Sequence, residues 1–315
     1  MRIALWTLLT LFAACPSLLA RDIHVNNISG DDRFLGYSQH ASSTKTGPVR
    51  TIAKALRVAK KGDRVVLANT GIPYKESITL QGTLNSGFPD APFRLVGNGA
   101  TLDGSAPVPA EGWKHYRDNV FRFRPSRMQY QQLFKDDVPV ARVVVEKGAY
   151  ALPKLEPLTW CLYNGHVYFC VEDGQLPRFY NLSYSSLPVG ITLYKVRHVV
   201  VRDLVVQGFQ IDGVNAHDSA FSVELINVTA RGNGRSGISI GGASRATLNT
   251  CLAGSNGVAQ LRTEGWSNTE VQDSDLLAES APSIVRDGGR VIVDSVEFHG
   301  DVLEKDIVPG DMAEE

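Results

Sequence analysis

The sequence predicts an all-β solenoid, a coil of parallel strands, and three observations predict it. First, from Val199 to Gly300 the chain repeats every 21 to 24 residues, in units Val199–Phe221, Ser222–Arg245, Ala246–Asn268, Thr269–Arg290 and Val291–Gly300. Each unit holds short β-branched runs in period-2 alternation, broken by Gly, Asn, Asp and Ser. Second, Asp203, Asn227, Thr250, Asp273 and Asp294 fall in step at spacings of 24, 23, 23 and 21. Beside them runs a small or apolar column, Leu204, Val228, Cys251, Ser274 and Ser295. Strand-and-turn units of this length form solenoids, and these lack the leucine framework of leucine-rich repeats. Third, one amphipathic helix precedes the repeats, placed where an open solenoid would expose its first core layer and an unpaired strand edge.

That helix is expected over Thr51–Lys61, because Ile52, Ala55, Leu56 and Ala59 recur at helical spacing. Lys60 and Lys61 complement its C-terminal dipole, and Gly62 offers a left-handed stop. Strands follow at Arg64–Leu67, Ile78–Leu80 and Phe93–Val96. The stacked polar column reads as turn residues that hydrogen-bond along the coil and satisfy backbone groups.

The segment GP-x-x-TI-x-x-AL-x-x-A-x-x-GD-x-V-x-L comprises Gly47, Pro48, Thr51, Ile52, Ala55, Leu56, Ala59, Gly62, Asp63, Val65 and Leu67, with Tyr74 and Glu76 beyond. It looks like the N-terminal cap of the right-handed parallel β-helix family. Gly99-Ala100-Thr101-Leu102-Asp103-Gly104 resembles an early coil of pectate-lyase-like and chondroitinase-B-like enzymes. The resemblance covers Ile23–Leu102 and Tyr194–Gly300, about two thirds of the chain. It implies a right-handed parallel β-helix with an N-terminal capping helix. Its motifs are capping and turn residues, so they speak for architecture rather than activity.

Between Ser105 and Gly190 the repeat vanishes, and eight of the fifteen prolines fall there, which stacked interior strands do not accept. Asn164-Gly165 is a hairpin turn that sets Tyr163 opposite His166, Leu162 opposite Val167 and Cys161 opposite Tyr168. Trp160, Leu162, Val167 and Phe169 then share one face. Cys170 becomes the diagonal neighbour of Cys161, where a disulfide would be strained, so bridge and buried thiols both remain open. Similar β-helix proteins carry an inserted β-rich subdomain here, with a QLF-x-x-D-x-x-P-x-AR segment matched by Gln132, Leu133, Phe134, Asp137, Pro139, Ala141 and Arg142. The expected organisation is a signal peptide over 1–20, cap and first coils over 21–104, the insertion over 105–190, repeats over 191–300 and an acidic tail over 301–315.

Arg2 followed by the apolar run Ile3–Ala14 and small residues near Ala20 reads as a secretory signal peptide. The alternative is a lipoprotein signal lipidated at Cys15, to which Phe12 is a poor fit. Nothing later is long and apolar enough to span a bilayer, which places the mature chain in a secreted or periplasmic compartment. Its 31 Lys plus Arg against 33 Asp plus Glu argue against nucleic acid, which requires a basic stripe. They leave room for an acidic sugar polymer, which needs only a local basic groove. The tail from Asp301 to Glu315, with six carboxylates and one lysine, reads as a solvated or frayed end. Asn27, Asn181 and Asn227 form glycosylation sequons, meaningful only in a eukaryotic secretory host.

Chemistry is sought among outward polar residues on adjacent coils. With Val214 and Ala216 inward, Asn215 and His217 point out. Asp212, His217 and Asp218 make a candidate acid–base cluster, or else Asp212-Gly213 and Asp218-Ser219 are turns and His217 is solvated. Arg235, Arg262 and Arg286 occupy comparable places, with Glu264 and Asp287 beside the last two. They are either an arginine row for uronate carboxylates or exposed turn residues. In the third unit either Val258 and Gln260 or Ala259 and Leu261 face inward. Trp266 is a candidate sugar-stacking surface. The catalytic candidates are therefore Asp212, His217, Asp218, Arg262 and Glu264, and the substrate-binding candidates are Arg235, Trp266 and Arg286. Metal ligands are not assignable, although a lyase would admit Ca2+. Two function classes follow: an enzyme on an extracellular polysaccharide, lyase or glycoside hydrolase, or a non-catalytic carbohydrate-binding or surface protein. Neither oligomeric state nor substrate is read from the sequence.

Overall fold

Short β-branched runs have little to bury alone, so their apolar faces need identical neighbours above and below. The computed structural model, which describes residues 20–42, 46–126, 130–146 and 148–309, meets this need with one sixteen-stranded sheet that is parallel over most of its extent. Two ladders run through it. The first stacks Asp22–Val25, Arg64–Leu67, Phe93–Asp103, Arg197–Gln207, Phe221–Arg231 and Arg245–Asn249. The second stacks Ile78–Gln81, Ile191–Tyr194, Asp212–His217 and Ser236–Ile240. Ala259–Gln272 and Ile284–Val293 are long enough to serve both.

The register carries the period seen in the sequence. Val201 pairs with Leu225, Leu225 with Leu248, Leu248 with Val271 and Val271 with Val293. On the second ladder Ile191, Val214, Ile238, Leu261 and Ile284 align. All these side chains are buried in one apolar core. Val214 and Ala216 point inward as expected, and Ala259 with Leu261 settles the open choice in the third unit. Gln260 is buried as well, but its amide meets Asn256, Ser280 and Ala281.

The polar column has a backbone cause. Asn98, Asp203, Asn227, Thr250, Asp273 and Asp294 all have φ between 44° and 55°. Asn and Asp tolerate this left-handed region far better than other residues with a side chain. Asn227 also donates to Asp203 Oδ1 at 2.9 Å, linking successive repeats. A second, internal ladder joins Asn233 to Asn256: the Asn233 amide donates to Asn256 Oδ1 at 3.0 Å while its own oxygen accepts from Phe209 N at 3.1 Å.

The helix spans Ile52–Val58, shorter than Thr51–Lys61. Thr51 is its N-cap, and both oxygens of Glu76 accept from the next two amides, Ile52 and Ala53. The chain turns extended at Ala59, and Gly62 (φ 79°) belongs to the following turn rather than to the helix end. Asp63 drives this: its carboxylate accepts from Lys60 N and from the Arg21 side chain, which pulls the chain off the helical path. Ile52, Ala55 and Leu56 join the main core beside the first strands.

Two four-stranded antiparallel sheets occupy the region between Ser105 and Ser185. The expected hairpin is present, with Tyr163 opposite His166 and Cys161 opposite Tyr168. Trp160, Val167 and Phe169 pack on one side and Cys161, Tyr168 and Cys170 on the other. Cys161 and Cys170 are unbridged, and burial raises both thiols, Cys161 to about 11. The end of the chain departs from the expected frayed tail. Val296–Phe298 and Val302–Leu303 turn back antiparallel on the last long strand, and Ile307 is buried in the main core. Residues 1–19, including Cys15, and 310–315 lie outside the described residues, so the signal peptide and the far tail do too. Among the described residues no helix is long and apolar enough to cross a membrane.

Candidate functional site

Parallel pairing sets outward side chains of successive repeats side by side, roughly 4.8 Å apart. On the second ladder one outward row is Thr192, Asn215, Ser239, Arg262 and Val285. The row beside it begins with Tyr194 and His217 and continues at Glu264 and Asp287. Between His217 and Glu264 the intervening repeat supplies Gly241. A Cβ there would lie 2.9 Å from the Glu264 carboxylate, so that carboxylate leans across the gap. The next position is a sharp turn in every repeat: Asp218 (φ 65°), Gly242 (φ 65°), Gly265 (φ 70°) and Gly288 (φ 134°).

Asp212 is fully buried rather than outward. Arg235 Nε donates to its Oδ1 at 2.9 Å and Nη2 to its Oδ2 at 2.6 Å, while Asn215 donates at 2.6 Å. The hydrogen bonds with Asp212 raise the Arg235 pKa against the opposing effect of burial. This bidentate clamp ties two repeats together, and the antiparallel region covers it from one side. Tyr130 packs on Gly234 and Phe134 on Gly232.

His217 points out, half exposed, its ring 5.2 Å from that of Tyr194. Its Nδ1 is 3.7 Å from Asp218 Oδ1, beyond hydrogen-bond range. Asp218 lies 3.6 Å from Lys195 Nζ, and its positive φ makes it one of the turn residues. Arg262 is the centre of the outward face. Its Nη2 is 2.6 Å from Asp287 Oδ2 and 3.5 Å from Glu264 Oε2, and its Nε is buried without a hydrogen-bond partner among the described residues. Trp266 sits in the register shift after Gly265 and is 91 % exposed.

The three candidate arginines do not form a row. Arg286 pairs in register with Thr263, one position off Arg262. Its guanidinium donates to the carbonyls of Gly300 and His299, both at 2.7 Å, and to that of Gly289 at 3.3 Å. The structure instead makes a site candidate of Asp287, named in the sequence only as the acid beside Arg286, and adds Tyr194 to the outward face. An acid directly before a turn glycine in two successive units, Glu264-Gly265 and Asp287-Gly288, was the available signal for Asp287. A cleft of about 380 Å3 opens beside Asp287, lined also by Val285, Arg286, Gly288, Asp301 and Val302.

Among the described residues no group of three or more His, Cys, Asp or Glu is placed to hold a metal ion. A calcium ion fits poorly between Glu264 and Asp287, because the Arg262 guanidinium already lies there. The arrangement therefore offers two carboxylates around one guanidinium, a nearby imidazole and an exposed indole.

No family model and no curated protein matches the chain. Among solved structures, one described as "Glycoside hydrolase" superposes with a TM-score of 0.54 at 8 % identity, covering 81 % of this chain and 77 % of that one. Another, described as "The complex structure of XylC with xylose", reaches a TM-score of 0.42 at 12 % identity over 86 % of this chain and 68 % of that one, too low to carry an argument. The first likeness is one of fold.

Proposed function

We propose that this protein is a carbohydrate-active enzyme, a glycoside hydrolase that cleaves an extracellular polysaccharide on the outward face of the second ladder. The observation that carries this is the Glu264–Arg262–Asp287 arrangement, two carboxylates on adjacent repeats held to one guanidinium. Glycoside hydrolysis asks for such a pair, one giving a proton to the leaving oxygen and the other attacking or activating water. Asp287, closer to Arg262, is assigned the attacking or water-activating part. Glu264, leaning over Gly241 toward His217, is assigned proton delivery. His217 and Tyr194 extend the polymer path along the row, and Trp266 offers a ring for stacking. The fold likeness to a protein described as a glycoside hydrolase supports the same assignment.

The architecture belongs to this proposal as well. The ladders are taken to wind as a right-handed parallel β-helix, with Ile52–Val58 covering its first turn and 105–190 inserted as a β-rich unit. Export through Met1–Ala20 would bring the chain to its polymer. A lyase would need several arginines free for uronate carboxylates, and Arg235 and Arg286 are engaged elsewhere. Purified protein incubated with acidic and neutral polysaccharides is expected to release reducing ends without near-ultraviolet absorbance. Glu264→Gln and Asp287→Asn are each expected to lower kcat by about 10²–10⁴. Arg262→Ala should abolish turnover by releasing both carboxylates, and His217→Ala should impair it. Absorbance would instead mean an unsaturated lyase product. Binding with neither product would leave a non-catalytic carbohydrate-binding protein.

A further inference from the structure

The chain that leaves the Tyr194 end of the outward row passes through a cluster of cations that the proposed hydrolysis does not use. A cleft of about 380 Å3 there is lined by Lys61, Ser86, Phe88, Lys195, Arg197 and His198, among others, with Phe88 and Pro89 forming an apolar wall. Phe88 is 49 % exposed, an uncommon state for a phenylalanine beside three cationic side chains. The cleft is built by close backbone packing. A Cβ on Gly82 would meet Lys195 O at 2.0 Å, and one on Gly87 would meet Phe93 N at 2.3 Å. Ser86 Oγ accepts from Arg197 N at 3.1 Å and fixes the strand start.

Its charge is unbalanced. Lys61 and Arg197 pair with no carboxylate among the described residues, and no carboxylate lines the cleft. Lys195 is already partnered: its Nζ is 3.6 Å from Asp218 Oδ2 and 5.0 Å over the Tyr194 ring. One repeat away Phe221 takes Arg197 on its face at 5.0 Å and Arg245 at 5.7 Å, so the cationic surface continues across the corner. Lys61 and Arg197, the two cations of the cleft with no counter-charge of their own, repel one another, and an aromatic wall facing water adds an unburied apolar surface. An anionic sugar resolves both, its ring on Phe88 and its charged group on Lys61 and Arg197.

The geometry points to an anion-binding subsite at Lys61, Phe88, Lys195 and Arg197, separate from Glu264 and Asp287, that takes a carboxylate or sulfate substituent of the polysaccharide. It deepens the hydrolase proposal by naming the substrate as an anionic polymer. The test measures binding of the full chain to a polyuronate, a sulfated polysaccharide and a neutral polysaccharide, by affinity electrophoresis and calorimetry across a salt series. Binding to one anionic polymer, weakening with salt, is expected to exceed neutral-polymer binding at least about tenfold, as loss of one charge-assisted hydrogen bond commands. Which polymer is retained decides between carboxylate and sulfate. Arg197→Gln and Lys61→Gln should each weaken it about tenfold with unchanged circular dichroism. Should Arg197→Gln fail to fold, the exposed Lys61→Gln still decides. Equal affinity for the neutral polymer, or wild-type affinity in folded Lys61→Gln, overturns the subsite. A protein that binds the anionic polymer in this way yet releases no reducing ends loses the hydrolase assignment and keeps the subsite. Cleavage of neutral polymer with unaltered rates in both variants does the reverse.

Discussion

Asp212 and Arg235 form an ion pair whose contribution to stability depends on how far each group is removed from water. Asp212 is fully buried and its carboxylate is met on both oxygens by one guanidinium. Removing one partner of such a pair leaves an uncompensated charge, which costs more than the pair itself contributes. Arg235→Ala should therefore destabilise the protein by about 3–5 kcal/mol in urea denaturation. The double change with Asp212→Ala should cost less than Arg235→Ala alone. Asp63 is a second buried carboxylate, and it makes a pH prediction. Burial pushes its pKa up, but hydrogen bonds from Arg21 and Lys60 outweigh this and leave it below its ordinary 3.8. The charged form is thus favoured by folding. Its contribution is complete above the unfolded value and is lost as pH falls through the lower folded one, below about pH 4. Acid titration of stability should show a shallower decline there in Arg21→Ala than in the unaltered protein.

At the scale of the single repeat, the spacing of Asp203, Asn227, Thr250, Asp273 and Asp294 was visible without coordinates, and so was their turn character. The left-handed backbone explains the residue types, and it singles out Thr250, a β-branched residue at φ 50°. Thr250→Asn should stabilise by about 0.5–1 kcal/mol, because Asn reaches this region with less strain. The opposite sign is expected at Gly265. Its φ is 70°, and an added Cβ would lie 2.9 Å from Gly242 O. Gly265→Ala should cost about 2 kcal/mol or more by chemical denaturation, combining left-handed strain with that clash. The Asn233–Asn256 ladder was written in the sequence as Gly232-Asn233-Gly234 and Ser255-Asn256-Gly257, one period apart. The motif alone does not mark a ladder, because Asn beside Gly in a turn is ordinarily solvated, whereas here both amides are interior.

For the whole molecule, the parallel pairing of residues one repeat apart is what turns a list of outward residues into a face. After its last long strand the chain returns as short antiparallel strands on Ile284–Val293. Ile307 is 1 % exposed there, so Ile307→Ala should cost about 2–4 kcal/mol, read from the urea midpoint. A tail that merely frayed would show no effect. Its acidic composition hides two apolar residues, Leu303 and Ile307, which are enough to dock it on the core beside a free sheet edge. The sequence by itself determined the strand-and-turn repeat, the inward and outward faces outside the third unit, the hairpin register and the turn residues, since each follows from local backbone preference and a periodic apolar pattern. The tertiary structure decided which polar residues meet. It buried Asp212 against Arg235, tied Arg286 to its own turn carbonyls, and brought Glu264 and Asp287 to one Arg262. Those outcomes rest on side-chain reach across neighbouring repeats, and a period of 21 to 24 residues fixes which strands are adjacent without fixing where long side chains end.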